Sequence, residues 1–177
     1  MAATKWVLDP THSEITFKVK HLMISNVKGE FRTFSATIDA EGEDFSNAKV
    51  EATVETSSIF TNNDDRDNHL RSADFFDAEN NKEITFKGTS FRKTDDDEFE
   101  LTGDLSINGV TKPVTLEVEF GGINQDPWGN TKAGFTFEGK LNREDFGLTW
   151  NAALETGGVM VSKDVKIGGE LQFVKQA

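Results

Sequence analysis

From Glu14 to Lys20 apolar and polar residues alternate strictly, so Ile15, Phe17 and Val19 fall on one side of an extended chain and Thr16, Lys18 and Lys20 on the other. The same period of two returns in Phe34, Ala36 and Ile38, in Val50, Ala52 and Val54, and in Ile84 and Phe86. It continues through Phe99, Leu101, Gly103, Leu105 and Ile107, then Val114, Leu116, Val118 and Phe120. Phe135, Phe137, Gly139 and Leu141 repeat it, as do Val165, Ile167, Gly169, Leu171 and Phe173. Together with Trp6 to Asp9 this predicts eight or nine half-buried strands.

The turns between these runs are marked by residue type. Asn108-Gly109 separates two alternating runs as a type I′ hairpin turn does, and Asp95-Asp96-Asp97 breaks another pair, so sequential strands pair antiparallel. Pro113 falls where a strand begins or lies at an edge. Glycines inside the runs, at Gly29, Gly88, Gly103, Gly139 and Gly169, are expected to mark bulges or sharp coiling. The segment from Thr61 to Asn81 breaks the period and reads as a short helix over about Asp64 to Arg71 followed by a loop. Asn62 or Asn63 caps it, Asp64 and Asp65 face its positive start, and Arg71 faces its negative end. A second helical turn is expected over His21 to Ser25. Many short antiparallel strands must hide their edges by closing into a barrel or stacking as a sandwich, and pattern alone does not choose between them.

At 177 residues, with no repeat and no linker, the chain reads as a single domain over 1–177. Its 15 Phe exclude intrinsic disorder. A net charge of −12 opposes binding to nucleic acid or attraction to anionic lipid surfaces. No apolar run exceeds three residues, so no membrane-inserting segment is expected. The absence of Cys removes disulfides, thiolate nucleophiles and Cys zinc sites. His12, His21 and His69 fall in separate segments without HExxH spacing, and the Asp64, Asp65, Asp67 cluster lacks the Gly and Glu of a calcium loop, so no metal is assigned. With no GxSxG, P-loop or GxGxxG motif, neither a catalytic residue nor a cofactor is assigned, and an enzyme is not expected. Fifteen Phe, three Trp and no Tyr make the large aromatics oily. They suit either an ordinary filled core or an apolar lumen, since a barrel of about eight strands either fills with side chains or holds one small ligand.

Trp6-Val7-Leu8-Asp9-Pro10-Thr11-His12-Ser13, Ile15 to Leu22, and Gly29-Glu30-Phe31 resemble the YceI-like family of bacterial lipid-binding proteins. So do Arg66-Asp67-Asn68-His69-Leu70-Arg71-Ser72-Ala73-Asp74-Phe75-Phe76, Gly103 to Val114, Asn142 to Leu148, and Asp164 to Ile167. The resemblance implies an all-β fold, an extended antiparallel eight-stranded lipocalin-like barrel with one or two short helices. It implies a bound polyisoprenoid, such as an isoprenoid quinone or polyprenyl phosphate, or a fatty acid or amide, held for storage, shielding or transport, without catalysis. Asn81-Lys82 departs from the aromatic-Pro pair frequent in the family, which bears on the local turn.

On this reading the lumen candidates are Phe17, Val19, Phe34, Ile38, Phe86, Leu105, Leu116, Val118, Phe135, Phe137 and Trp150. Leu22, Met23 and Ile24 are candidates for the mouth, and Arg66, His69 and Arg71 for an anionic head group; Arg66 and Asp67 also suit a structural ion pair. Exposed strand edges invite a second copy, so a homodimer is one option. The first strand begins a few residues after Met1, which leads to a cytoplasmic expectation, or a periplasmic one where a leader has been removed. The competing reading is a polar-ligand or adhesion module built on a filled β-sandwich.

Overall fold

Each alternating run forms a strand in the computed structural model, which describes residues 3–22, 24–148 and 161–176. The strands are β1 (Thr4–Leu8), β2 (Ile15–His21), β3 (Ser25–Phe31), β4 (Phe34–Glu41), β5 (Asp44–Glu55) and β6 (Ile59–Phe60), then β7 (Glu83–Asp95), β8 (Glu98–Ile107), β9 (Val110–Gln125), β10 (Thr131–Asn142) and β11 (Val161–Lys175). Helix α1 (Asp64–Arg71) starts where expected, with the Asn63 side chain accepting the Arg66 amide hydrogen bond.

Strands β1, β4, β5, β7, β8, β9, β10 and β11 follow one another around a ring that closes where β11 pairs back with β1, all contacts antiparallel. The closed barrel therefore displaces the sandwich. Its seam is shared: Phe173 and Lys175 of β11 pair with Leu8 and Trp6 of β1, while Val165 to Gly168 pair with Val19 to Thr16 of β2. Thus β1 and β2 lie end to end along one long strand. β2 and β3 form a hairpin, and β3 meets the short β6 through Glu30 and Phe31. Among the open edges of the described residues is the stretch of β3 from Ser25 to Gly29, which pairs only with β2.

The Asn108-Gly109 turn has φ of 54° and 75°, the double left-handed geometry of type I′. The helical turn expected over His21 to Ser25 is instead the tip of the β2–β3 hairpin. His21 pairs with Ser25, and the Ile24 amide donates to the His21 carbonyl at 3.2 Å. Strand pairing on both flanks overrides the local apolar run. Of the glycines, Gly88 lies at a register shift, whereas Gly29 and Gly139 sit in uninterrupted ladders.

The interior holds two apolar clusters. One, built around Trp6, Phe45, Phe91, Phe99, Phe135 and Phe173, plugs one end of the barrel. Phe135 lies 5.0 Å from Phe45 and 5.9 Å from Phe173, both edge-on. The other, with Phe31, Ile59, Phe75, Phe146 and Leu148, lies at the end where α1 packs.

Candidate functional site

Between the two clusters runs a cavity of about 640 Å³. It falls within the range of ~300–1,000 Å³ common to small-molecule sites. Alternation along each strand sends every second side chain inward, and in this way Phe17, Val19, Ile38, Phe86, Leu105, Leu116, Val118, Phe135 and Phe137 all reach its wall. Phe34 does not; it is half-buried and packs against both clusters from outside the lining. Trp150 lies outside the described residues.

Polar groups gather at the α1 end, where Asn63, Asp65, Arg66 and His69 join the lining. The helix is anchored by Thr61 at the exit from β6. The buried Asp67 carboxylate accepts hydrogen bonds from the Thr61 amide and hydroxyl, while Arg66 donates from Nε to the Thr61 hydroxyl at 2.8 Å and from Nη2 to its carbonyl at 2.7 Å. Arg66 and Asp67 thus both grip Thr61, and among the described residues they form no ion pair with each other. His69 Nε2 meets Asp74 at 2.9 Å, and its ring stands edge-on to Phe75 at 5.1 Å.

Arg71, expected with Arg66 and His69, is not in the lining. Its guanidinium straps α1 to the preceding chain through the carbonyls of Ser57, at 2.9 Å, and Ile59, at 3.2 Å. Leu22 and Ile24 are likewise outside the lining, exposed at the hairpin tip; Met23 lies outside the described residues.

Two mouth residues escape the sequence reading. His21 continues the inward series Ile15, Phe17, Val19, and the period of two carries enough signal to find it. Arg143 is buried against the cavity in a 3₁₀ turn (Arg143–Phe146), donating to the carbonyls of Leu148 at 2.8 Å and Ser162 at 2.9 Å. Burial pushes its guanidinium below the ordinary value, with the neighbouring Glu144 charge opposing. Among the described residues no cluster of three or more His, Cys, Asp or Glu is placed to hold a metal ion.

A closed antiparallel barrel enclosing an apolar cavity with a polar rim at one end defines the lipocalin-like class of β-barrels. Within that class, the family model for the YceI-like domain matches residues 6–173, and the chain belongs to this family. A UPF0312 protein of Staphylococcus epidermidis is 45% identical over 171 residues, covering 96% of this chain and 97% of its own. A Campylobacter jejuni YCEI protein of solved structure is 35% identical, with a TM-score of 0.76 over 89% of this chain and 90% of that one. The fold is also that of a Saccharophagus degradans polyisoprenoid binding domain implicated in plant cell wall breakdown. It has a TM-score of 0.68 at 16% identity, covering 97% of this chain and 98% of the other. Among the described residues no helix is long and apolar enough to cross a membrane.

Proposed function

We propose that this protein binds one long-chain amphiphilic lipid, a polyisoprenoid or acyl chain, with the tail in the barrel and the head at the α1 end. The observation that carries this reading is the cavity itself: about 640 Å³, walled mainly by aliphatic and phenyl side chains, with Asn63, Asp65, Arg66 and His69 grouped where α1 packs. Membership of the YceI-like family supports it, as does the polyisoprenoid-binding description of the Saccharophagus degradans domain that shares the fold. Each buried methylene contributes about 0.8 kcal/mol, so a sixteen-carbon tail gains roughly 13 kcal/mol gross, against about 4–15 kcal/mol lost on association. Tail burial therefore supplies the affinity, and the mouth supplies orientation. Arg66 and His69, with His21, offer donors to an anionic head. The role is holding or carrying rather than turnover.

The test is organic extraction of the protein purified from its own host, followed by mass spectrometry. A single class of long-chain lipid near one equivalent per chain is expected. Protein free of any such lipid, and unable to take one up when offered a polyprenyl phosphate or a fatty acid, overturns the reading.

A further inference from the structure

The outer wall of the barrel carries a row of lysines that crosses four strands. Lys140, Lys166, Lys18 and Lys28 stand in register across β10, β11, β2 and β3, each the cross-strand partner of the next, and all are exposed. Lys20 follows on the same face of β2, one step toward the hairpin tip. Like charges directly opposite one another cost stability, and here they are assembled in a chain of net charge −12. Glu100, Glu117 and Glu138 form the converse row, which meets the lysines on β10, where Glu138 stands two residues from Lys140 on the same face. Asp164 holds Lys140 at 3.3 Å and Glu30 is engaged with Arg32 at 3.1 Å. Lys18, Lys20, Lys28 and Lys166 have no carboxylate partner among the described residues.

This basic face ends at the β2–β3 tip, where Ile24 is 83% exposed and Leu22 36%. The tip also borders the cavity, since Val19 and His21 just before it belong to the lining. Apolar side chains projecting beside a row of ammonium groups match a bilayer surface, with phosphate at one level and acyl chain just beneath.

We propose that this face docks the protein on anionic membranes, the lysines meeting lipid phosphates and the Leu22 and Ile24 side chains seating among the head groups, so that the mouth of the cavity meets the lipid. The overall negative charge does not prevent this, because screening over ~8 Å at physiological salt leaves each part of the wall with its own local potential. The acidic row of a second copy matches the lysines alone, whereas a bilayer matches both the lysines and the exposed Ile24, which favours the membrane. Docking stands on the outer wall alone, whereas its use for cargo exchange rests on the lipid reading above.

The experiment is co-sedimentation of the full chain with vesicles of phosphatidylcholine, with and without phosphatidylglycerol, at low and high salt. A Lys18→Gln, Lys28→Gln double variant is run alongside. In parallel, Ile24→Cys labelled with an environment-sensitive dye gives a single site, since the chain has no native Cys. Expected are salt-sensitive binding to the anionic vesicles alone, weakening on the order of twenty-five-fold in the double variant at roughly fivefold per lysine, and a dye signal that rises only on those vesicles. Wild-type protein left in the supernatant, a variant that binds equally well, or a dye that stays in water overturns the proposal. A dimer that the variant converts to monomer without any vesicle binding overturns it in favour of a second copy. Extracted lipid is scored separately: docking without cargo refutes only the lipid reading, and cargo without docking refutes only this one.

Discussion

The ring of Phe17 lies across Gly29, its paired residue on the neighbouring strand, so closely that a methyl on Gly29 would sit 2.2 Å from the ring's Cζ. The arrangement recurs along the lumen. A methyl on Gly103 would lie 2.4 Å from the Phe86 ring, and one on Gly139 would lie 2.5 Å from Leu116. Each glycine removes the one side chain that would push a large residue off the wall and into the bore, so a barrel lined with Phe still keeps a hollow centre.

Gly29→Ala is expected to lower the amount of lipid recovered per chain and to destabilise the fold by about 1–3 kcal/mol through overpacking. The three atoms nearest the added methyl all belong to the Phe17 ring, which borders the cavity. Lipid mass spectrometry and urea unfolding measure the two effects; unchanged lipid content would show that the ring finds space elsewhere.

Phe45→Ala acts at the plug. Phe45 is 3% exposed and touches the rings of Trp6 at 5.1 Å and Phe120 at 5.5 Å. Removing it leaves a void worth about 3–5 kcal/mol of stability. A urea midpoint within experimental scatter of wild type would refute the plug's structural role.

Arg66 and Arg71 lie five positions apart and are expected to behave differently. Arg66→Gln should lower the melting temperature through its lost bonds to Thr61 and, beyond any loss shared with a neutral isoprenoid, weaken binding of a polyprenyl phosphate about tenfold or more, since one charge-assisted hydrogen bond is worth about 1.5–3 kcal/mol. Arg71→Gln should leave both affinities in place and lower only the melting temperature, because its bonds fasten α1 to Ser57 and Ile59. Titration calorimetry with the two ligands separates the cases, and equal losses for both ligands in Arg66→Gln would rule out head-group contact.

Asp9 sets an acid limit to stability. The Thr11 hydroxyl at 2.7 Å, then Lys132 at 2.9 Å and His12 at 2.8 Å, hold its carboxyl well below the usual carboxylate range against an opposing effect of burial. A folded-state pKa lowered in this way contributes stability that is fully present above about pH 4 and is lost as the pH falls toward the folded value. Asp9→Asn should be less stable than wild type by about 1–2 kcal/mol at neutral pH. The difference should shrink below about pH 4, and thermal melts across that range check both the size and the sign.

Much of the barrel wall can be read from the sequence, because alternation depends only on which face of a strand is wet. The Asn108-Gly109 turn and the Asn63-capped helix are also legible, since their chemistry is local. Closure is not. It depends on pairs such as Trp6 with Lys175 and Val19 with Val165, which no local period encodes. The glycines show the same limit: Gly29 reads as a break in a strand, and only the facing Phe17 reveals it as a recess. At the site, most inward Phe, Leu and Val positions follow from periodicity, yet Phe34 shares that periodicity without reaching the cavity. Arg143 carries no sequence signal for burial, because an arginine in a short turn is ordinarily on the surface.

The shared seam has a consequence for biosynthesis. β1 and β2 both find their partner in β11, so the N-terminal strands must wait, unpaired on that side, until residues up to Lys175 have left the ribosome. Contacts of such long sequence separation form slowly. During that delay the oily interior and two bare strand edges face water, and the nascent chain is at its most vulnerable to sticking to a neighbour or to being held by a chaperone.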